Sequence, residues 1–169
     1  MCIRDSGILA PPVTYMLDDT QYVSVLVGWG GAGGLYRRGE PAPYKAEGRL
    51  FTFALDAGAE VAVIEGIERP PLSPIEFAAS DTQLARGADI YGNRCSMCHG
   101  IGVISSGTIA DLRYAQPAII GSLEQIVRDG AYLGLGMPRF EWFSDDDLAS
   151  LRAYILAQRA ALIDEQTQQ

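Results

Sequence analysis

Cys95-Ser96-Met97-Cys98-His99 is the stretch of this chain whose residue types and spacing can do chemistry. Two thiols separated by two residues fit on one turn of chain. From there both sulfurs can meet one edge of a porphyrin and add across its two vinyl groups. The imidazole that follows at once then lies beneath the iron as a proximal ligand. The competing readings fare worse. A zinc site calls for a second cysteine pair or more histidines, and His99 is the only histidine in the chain. A thioredoxin-like dithiol calls for an alternating β-α context, which is missing. A disulfide between cysteines this close is strained or redox-active. Covalent haem attachment is therefore the leading reading, and a non-haem metal held by Cys95, Cys98 and His99 is the alternative.

Haem iron bound to His99 needs a sixth ligand. Of the four methionines, Met1 starts the chain, Met16 lies in a β-like stretch and Met97 sits inside the attachment motif. Met137 lies in Gly134-Leu135-Gly136-Met137-Pro138, 38 residues after His99. A glycine-rich loop closed by proline can hold a thioether over the iron without joining a helix. A lone methionine is otherwise core filler. Ligation by His99 and Met137 fills both axial positions, raises the reduction potential and favours outer-sphere electron transfer over oxygen binding.

The elements that must position these groups follow from local pattern. Ser80-Asp81 caps a helix running to about Tyr91, with Leu84, Ala88 and Tyr91 on one face. Ser122 caps a short helix, Leu123 to Arg128, ended by Gly130. Ser144 opens the last helix, Asp147 completes a capping box, and Asp145, Asp146 and Asp147 complement the helix dipole. Leu148, Leu151, Ile155 and Leu162 fall at helical spacing, with Tyr154 on the flank.

Before Pro70 the pattern is β. Pro12 to Leu17 and Tyr22 to Val27 read as a hairpin about the turn Asp18-Asp19-Thr20. Gly28 to Gly34 holds five glycines around Trp29 and must be irregular, and Tyr36 to Gly48 is a long loop. Arg49 to Leu55 alternates as a strand before the turn Asp56-Ala57-Gly58, and Ala59 to Ile64 can add another. A few short strands cannot stand alone, so they read as the end of a larger all-β domain. Glu68 to Pro74 carries three prolines and reads as a stiff, extended linker.

Composition narrows the partners. The 169 residues carry a formal net charge of −8, with Lys45 the only lysine, which argues against nucleic-acid binding. No apolar run is long enough to span a membrane. Met1-Cys2-Ile3-Arg4-Asp5-Ser6 resembles translated sequencing-adapter sequence, so Cys2 is set aside and any export signal is expected further upstream.

The helical half, about residues 78 to 165, resembles a class I cytochrome c. The first helix, Cys95-x-x-Cys98-His99-Gly100, Gly136-Met137-Pro138 and the terminal helix occur in that family's order. Gly87, Tyr91 and Tyr154 stand where the family packs its first helix on its last. The resemblance extends to Tyr22–Gly31, to Gly48–Asp56, to the proline-rich linker and to Asp111-Leu112-Arg113. Together these resemble the C-terminal end of a quinohaemoprotein alcohol dehydrogenase. That family joins an eight-bladed propeller, which binds pyrroloquinoline quinone (PQQ) and calcium, to a cytochrome c.

The resemblance implies that residues 1–66 end a propeller (with 1–6 a possible artefact), 67–77 form a linker and 78–169 form a mainly α cytochrome c domain. It implies haem c on Cys95 and Cys98 with His99 and Met137 as axial ligands. Arg113 is expected to bond a haem propionate, to face the propeller or to sit solvated at the surface. PQQ, Ca2+ and the catalytic carboxylate belong to the upstream propeller and have no counterpart here, so no catalytic residue is assigned in this chain. The implied role is to take electrons one at a time from reduced quinone and pass them to a small acceptor protein or a quinone. Haem c attachment in bacteria places the protein in the periplasm. A cytochrome of a different propeller oxidoreductase remains an alternative. Trp29 reads as packing between blades rather than as an electron relay.

Overall fold

The computed structural model describes residues 7–8, 10–28, 42–45, 47–58, 60, 62 and 65–168. Trp29, the glycine-rich run around it and most of the stretch expected to form a strand at 59–64 fall outside these residues.

Three strands form an antiparallel sheet in the order β1 (Val13–Leu17), β2 (Thr20–Val27) and β3 (Arg49–Ala54). Asp18 and Asp19 turn the hairpin with both φ angles positive, at 47° and 62°. That is the twist-matched geometry of a two-residue hairpin, and aspartate tolerates it. Leu17 therefore faces Thr20, and the register carries Tyr15 onto Tyr22, whose rings stack at 5.4 Å. The sheet leaves Val13, Met16, Leu17, Leu26 and Leu50 more than half exposed. An apolar sheet this open is a surface that proteins normally cover.

Residues 67–80 have no regular structure. They are not a free spacer, because Ile75 packs against the helical core and the Ser73 carbonyl is held by Arg159. The stretch before β3 touches both this segment and the helical part, where Ala42 N–H donates to the Ser105 carbonyl at 3.4 Å. Ile67 N–H donates to the Pro43 carbonyl at 2.9 Å, and Arg69 donates to the Ala42 carbonyl.

The helical part is built on α1 (Asp81–Arg94) and α5 (Asp145–Thr167), with α2 (Ser96–His99), α3 (Pro117–Gly121) and α4 (Leu123–Val127) between them. Ser80 caps α1 by accepting from Gln83 N–H. The helix runs one turn past Tyr91, because Cys95 N–H bonds back to the Tyr91 carbonyl. Ser144 and Asp147 form a reciprocal capping box on α5. Ser122 does not cap α4 through its side chain. Its N–H instead closes α3 on the Ala118 and Ile119 carbonyls, so the two short helices meet at a kink. Leu148, Leu151, Ile155 and Leu162 are all buried, as their spacing demands.

α1 crosses α5 at Gly87. A Cβ there would lie 2.1 Å from the Ser150 carbonyl oxygen and 2.7 Å from Tyr154 Cβ, so only glycine allows this approach. One turn on, the Tyr91 and Tyr154 rings meet at 5.4 Å with a 47° tilt.

Candidate haem-binding site

The end of α1 delivers Cys95 to the site, and the single turn α2 delivers Cys98 and His99. Both Cys98 and His99 bond their N–H groups to the Cys95 carbonyl, at 3.1 and 2.9 Å. The next residue must be glycine. Gly100 has φ +86°, and a Cβ on it would lie 1.9 Å from the Ile104 carbonyl oxygen. Tyr91, almost wholly buried, donates its hydroxyl to the Gly100 carbonyl at 2.8 Å, which ties α1 to the turn after His99.

Met137 comes from the loop before α5. Gly136 adopts the left-handed conformation at φ +89°, Met137 N–H bonds the Tyr132 carbonyl at 3.2 Å, and Pro138 prevents helix from resuming. Met137 is half-buried and packs against the core.

Cys95, Cys98, His99 and Met137 line one cavity of about 870 Å³. Its walls are largely apolar, with Tyr91, Ile126, Phe140, Leu151 and Ile155 among them. That volume and lining suit a large apolar cofactor held by a few directed groups. Burial pushes the Cys95 thiol up to about 11, with the neighbouring Cys98 adding to it, and both cysteines are free thiols. Burial also lowers the His99 pKa, which keeps the imidazole neutral and able to donate a lone pair. His99 Nδ1 is buried without a well-formed hydrogen bond, although the Ala110 backbone faces the ring closely enough to favour its protonated form. Two thiols, an imidazole and a thioether lining one apolar cavity are a donor set that fits haem c. Among the described residues, no group of three or more His, Cys, Asp and Glu side chains is arranged to hold a metal ion.

Arg113 stands behind this wall. It is buried, and its guanidinium forks onto Asp111 with bonds of 3.0 Å from Nε and 2.7 Å from Nη2. Burial opposes its charge, but the Asp111 carboxylate outweighs burial and raises its pKa. Asp111 lines the cavity, whereas Arg113 is not part of the lining.

Two groups were not anticipated from the residue pattern. Lys45, Arg69 and Arg94 bring positive charge to the cavity wall, two of them from segments before α1. Arg159 is buried on α5 and holds three carbonyls: Ser73 at 2.9 Å, Arg113 at 2.8 Å and Ala115 at 3.0 Å. It thereby ties the extended segment before α1 to the turn behind the cavity. The signal for Arg159 was in the sequence, since it interrupts the apolar stripe between Ile155 and Leu162.

Comparison with known proteins gives the following relatives. Residues 82–155 match the profile of the family described as cytochrome c oxidase, cbb3-type, subunit III. The chain is 35% identical over 164 residues to the quinohaemoprotein alcohol dehydrogenase ADH IIB of Pseudomonas putida, an alignment covering 90% of this chain and 23% of that protein. It is 34% identical to the 1-butanol dehydrogenase (cytochrome c) of Thauera butanivorans, covering 93% of this chain and 23% of the relative. The solved structure of quinohaemoprotein alcohol dehydrogenase ADHIIG from Pseudomonas putida HK5 superposes with a TM-score of 0.78 at 29% identity, covering 95% of this chain and 24% of that one. The chain thus spans less than a quarter of the length of the relatives it matches. Its helical part is a c-type cytochrome domain, and the chain as a whole matches the C-terminal, cytochrome c-bearing end of the quinohaemoprotein alcohol dehydrogenases.

Proposed function

We propose that this chain is the electron outlet of a PQQ-dependent alcohol dehydrogenase: it accepts single electrons from reduced quinone in an upstream propeller domain and hands them to an external acceptor. The observation that carries the proposal is the convergence of Cys95, Cys98, His99 and Met137 on one apolar cavity. In this reading Cys95 and Cys98 would hold haem c through thioether links, and His99 and Met137 would be its iron ligands. When bound, haem c supplies a one-electron iron centre. The chain's own residues do the rest. Tyr91 and Gly100 fix the turn that aims His99, Gly136 and Pro138 aim Met137, and the apolar walls exclude water. The Arg113–Asp111 pair holds the wall turn behind the cavity, and Lys45, Arg69 and Arg94 supply the positive charge that propionates require.

The open sheet of β1 to β3 supports the domain reading, in which residues 1–66 complete a propeller, 67–77 connect and 78–169 form the cytochrome domain. PQQ and Ca2+ then belong to the upstream propeller, and the protein works in the periplasm. A relative such as the lupanine 17-hydroxylase [cytochrome c] of a Pseudomonas species, 32% identical, carries a different substrate in its name, so the substrate is set upstream of this chain.

The test is a potentiometric titration of the haem-loaded chain with a Met137→Ala variant. A one-electron wave that falls to markedly lower potential in the variant is the expected result. An unchanged potential would refute Met137 as the axial ligand, and the absence of any redox wave would refute the proposal.

A further inference from the structure

The segment after Met137 presents an aromatic side chain that the fold does not need. Phe140 lines the cavity and is buried, and its ring stacks on buried Phe143 at 5.2 Å. Trp142 lies edge-on to both, at 5.7 Å from Phe140 and 6.2 Å from Phe143, yet is 63% exposed. A tryptophan left in water on the outside of a cofactor wall is the residue type that anchors protein interfaces.

The charge around it has one sign in excess. Glu141 and Asp145 have side chains 66% and 89% exposed, and Asp146 is exposed beside them. Arg139 answers Glu141, Arg86 answers Asp147, and Arg128 is shared between Glu124 and Asp145. Asp146 has no cation beside it among the described residues. The rim is therefore net negative on a chain whose formal net charge is −8.

Position favours an outlet. The extended segment before α1 is pinned at Ser73 by Arg159, 14 residues along α5 from Asp145. At 1.5 Å per residue that is about 21 Å from the end of α5 that Trp142 adjoins. Ile67 to Pro70 and Leu72 of that segment line the same cavity as Phe140, whereas Trp142 lies outside the lining and is exposed.

We propose that Trp142 and its acidic rim dock a small, basic electron-acceptor protein. The inference rests on the electron-transfer reading and adds the surface and the partner's chemistry. Apolar contact on the indole gives affinity, and opposite charge steers the encounter. One electron passes to the acceptor, and no bond forms or breaks.

The experiment uses the haem-loaded chain, with a lysine-rich mitochondrial cytochrome c as the acceptor probe. Trp142→Ala should slow electron transfer to this probe at least fivefold while leaving the rate with ferricyanide unchanged. Asp146→Lys should slow it about threefold and flatten its dependence on ionic strength. The indole N–H resonance of Trp142 should shift when the oxidised probe is titrated in. Protein-acceptor rates within twofold of the parent in both variants, with no indole shift, would overturn the proposal. So would a Trp142→Ala effect confined to a short-chain quinone acceptor. A chain that takes up no haem fails at the earlier step and counts against the electron-transfer reading instead.

Discussion

Replacing Gly87 with alanine tests the crossing that positions the whole site. The new methyl would lie 2.1 Å from the Ser150 carbonyl oxygen, where ordinary contact begins near 3.4 Å, so α1 must withdraw from α5 by about 1.3 Å. Overpacking against backbone costs about 1–3 kcal/mol, because nothing there can rotate away. The withdrawal also loosens the Tyr91–Tyr154 contact, worth about 1 kcal/mol. Alanine returns about 1 kcal/mol through helix propensity. The net expectation is a loss of about 2 kcal/mol, or roughly 10 °C in midpoint for a domain near 90 residues. Gly92 is the internal control, since it lies in the same helix with nothing within 4 Å of its would-be Cβ. Gly92→Ala should stabilise by about 0.5–1 kcal/mol. Thermal unfolding of both variants at equal haem content measures the difference. Equal stabilisation by the two substitutions would refute the close crossing.

Three further outcomes follow from the same geometry. Asp147→Asn breaks the capping box and the Arg86 pair and should cost about 1 kcal/mol. The bond from Ser144, then the one from Arg86, lowers the Asp147 pKa below 3.8, so its stabilisation is full above that value and is lost as pH falls through the folded pKa. Unfolding curves for the variant should accordingly converge on those of the parent in acid. Arg159→Met strips the donors from three carbonyls and should expose the segment around Ser73 to limited proteolysis, with Arg159→Lys restoring part of the protection. Tyr91→Phe deletes the bond to Gly100 and should cost about 1 kcal/mol, read by denaturant unfolding.

Local signals were legible where one residue decides the structure. Ser80, Ser144 and Asp147 marked helix starts because capping is a contact within four residues. The α5 stripe marked the buried face because periodicity survives any tertiary context. Cys95, Cys98 and His99 stood out because their chemistry fixes their spacing, and the structure brings them to one cavity with Met137; the comparisons agree on a cytochrome c domain. Ser122 misled because a serine before an apolar run looks the same whether its side chain caps or its backbone closes the preceding turn. Arg159 showed itself as a break in the apolar stripe of α5, but its partners Ser73, Arg113 and Ala115 lie 44 to 86 residues away and could not be read. Arg113 was left between roles, since which carboxylate takes its fork depends on the turn that brings Asp111 around.

Covalent haem attachment at Cys95 and Cys98 is read from the intact mass of the chain after coexpression with a c-type haem maturation system, under denaturing conditions that strip non-covalent cofactors. The parent should gain the mass of one haem, and the Cys95→Ala, Cys98→Ala double variant should not. A parent chain whose mass equals that of its polypeptide alone would contradict it.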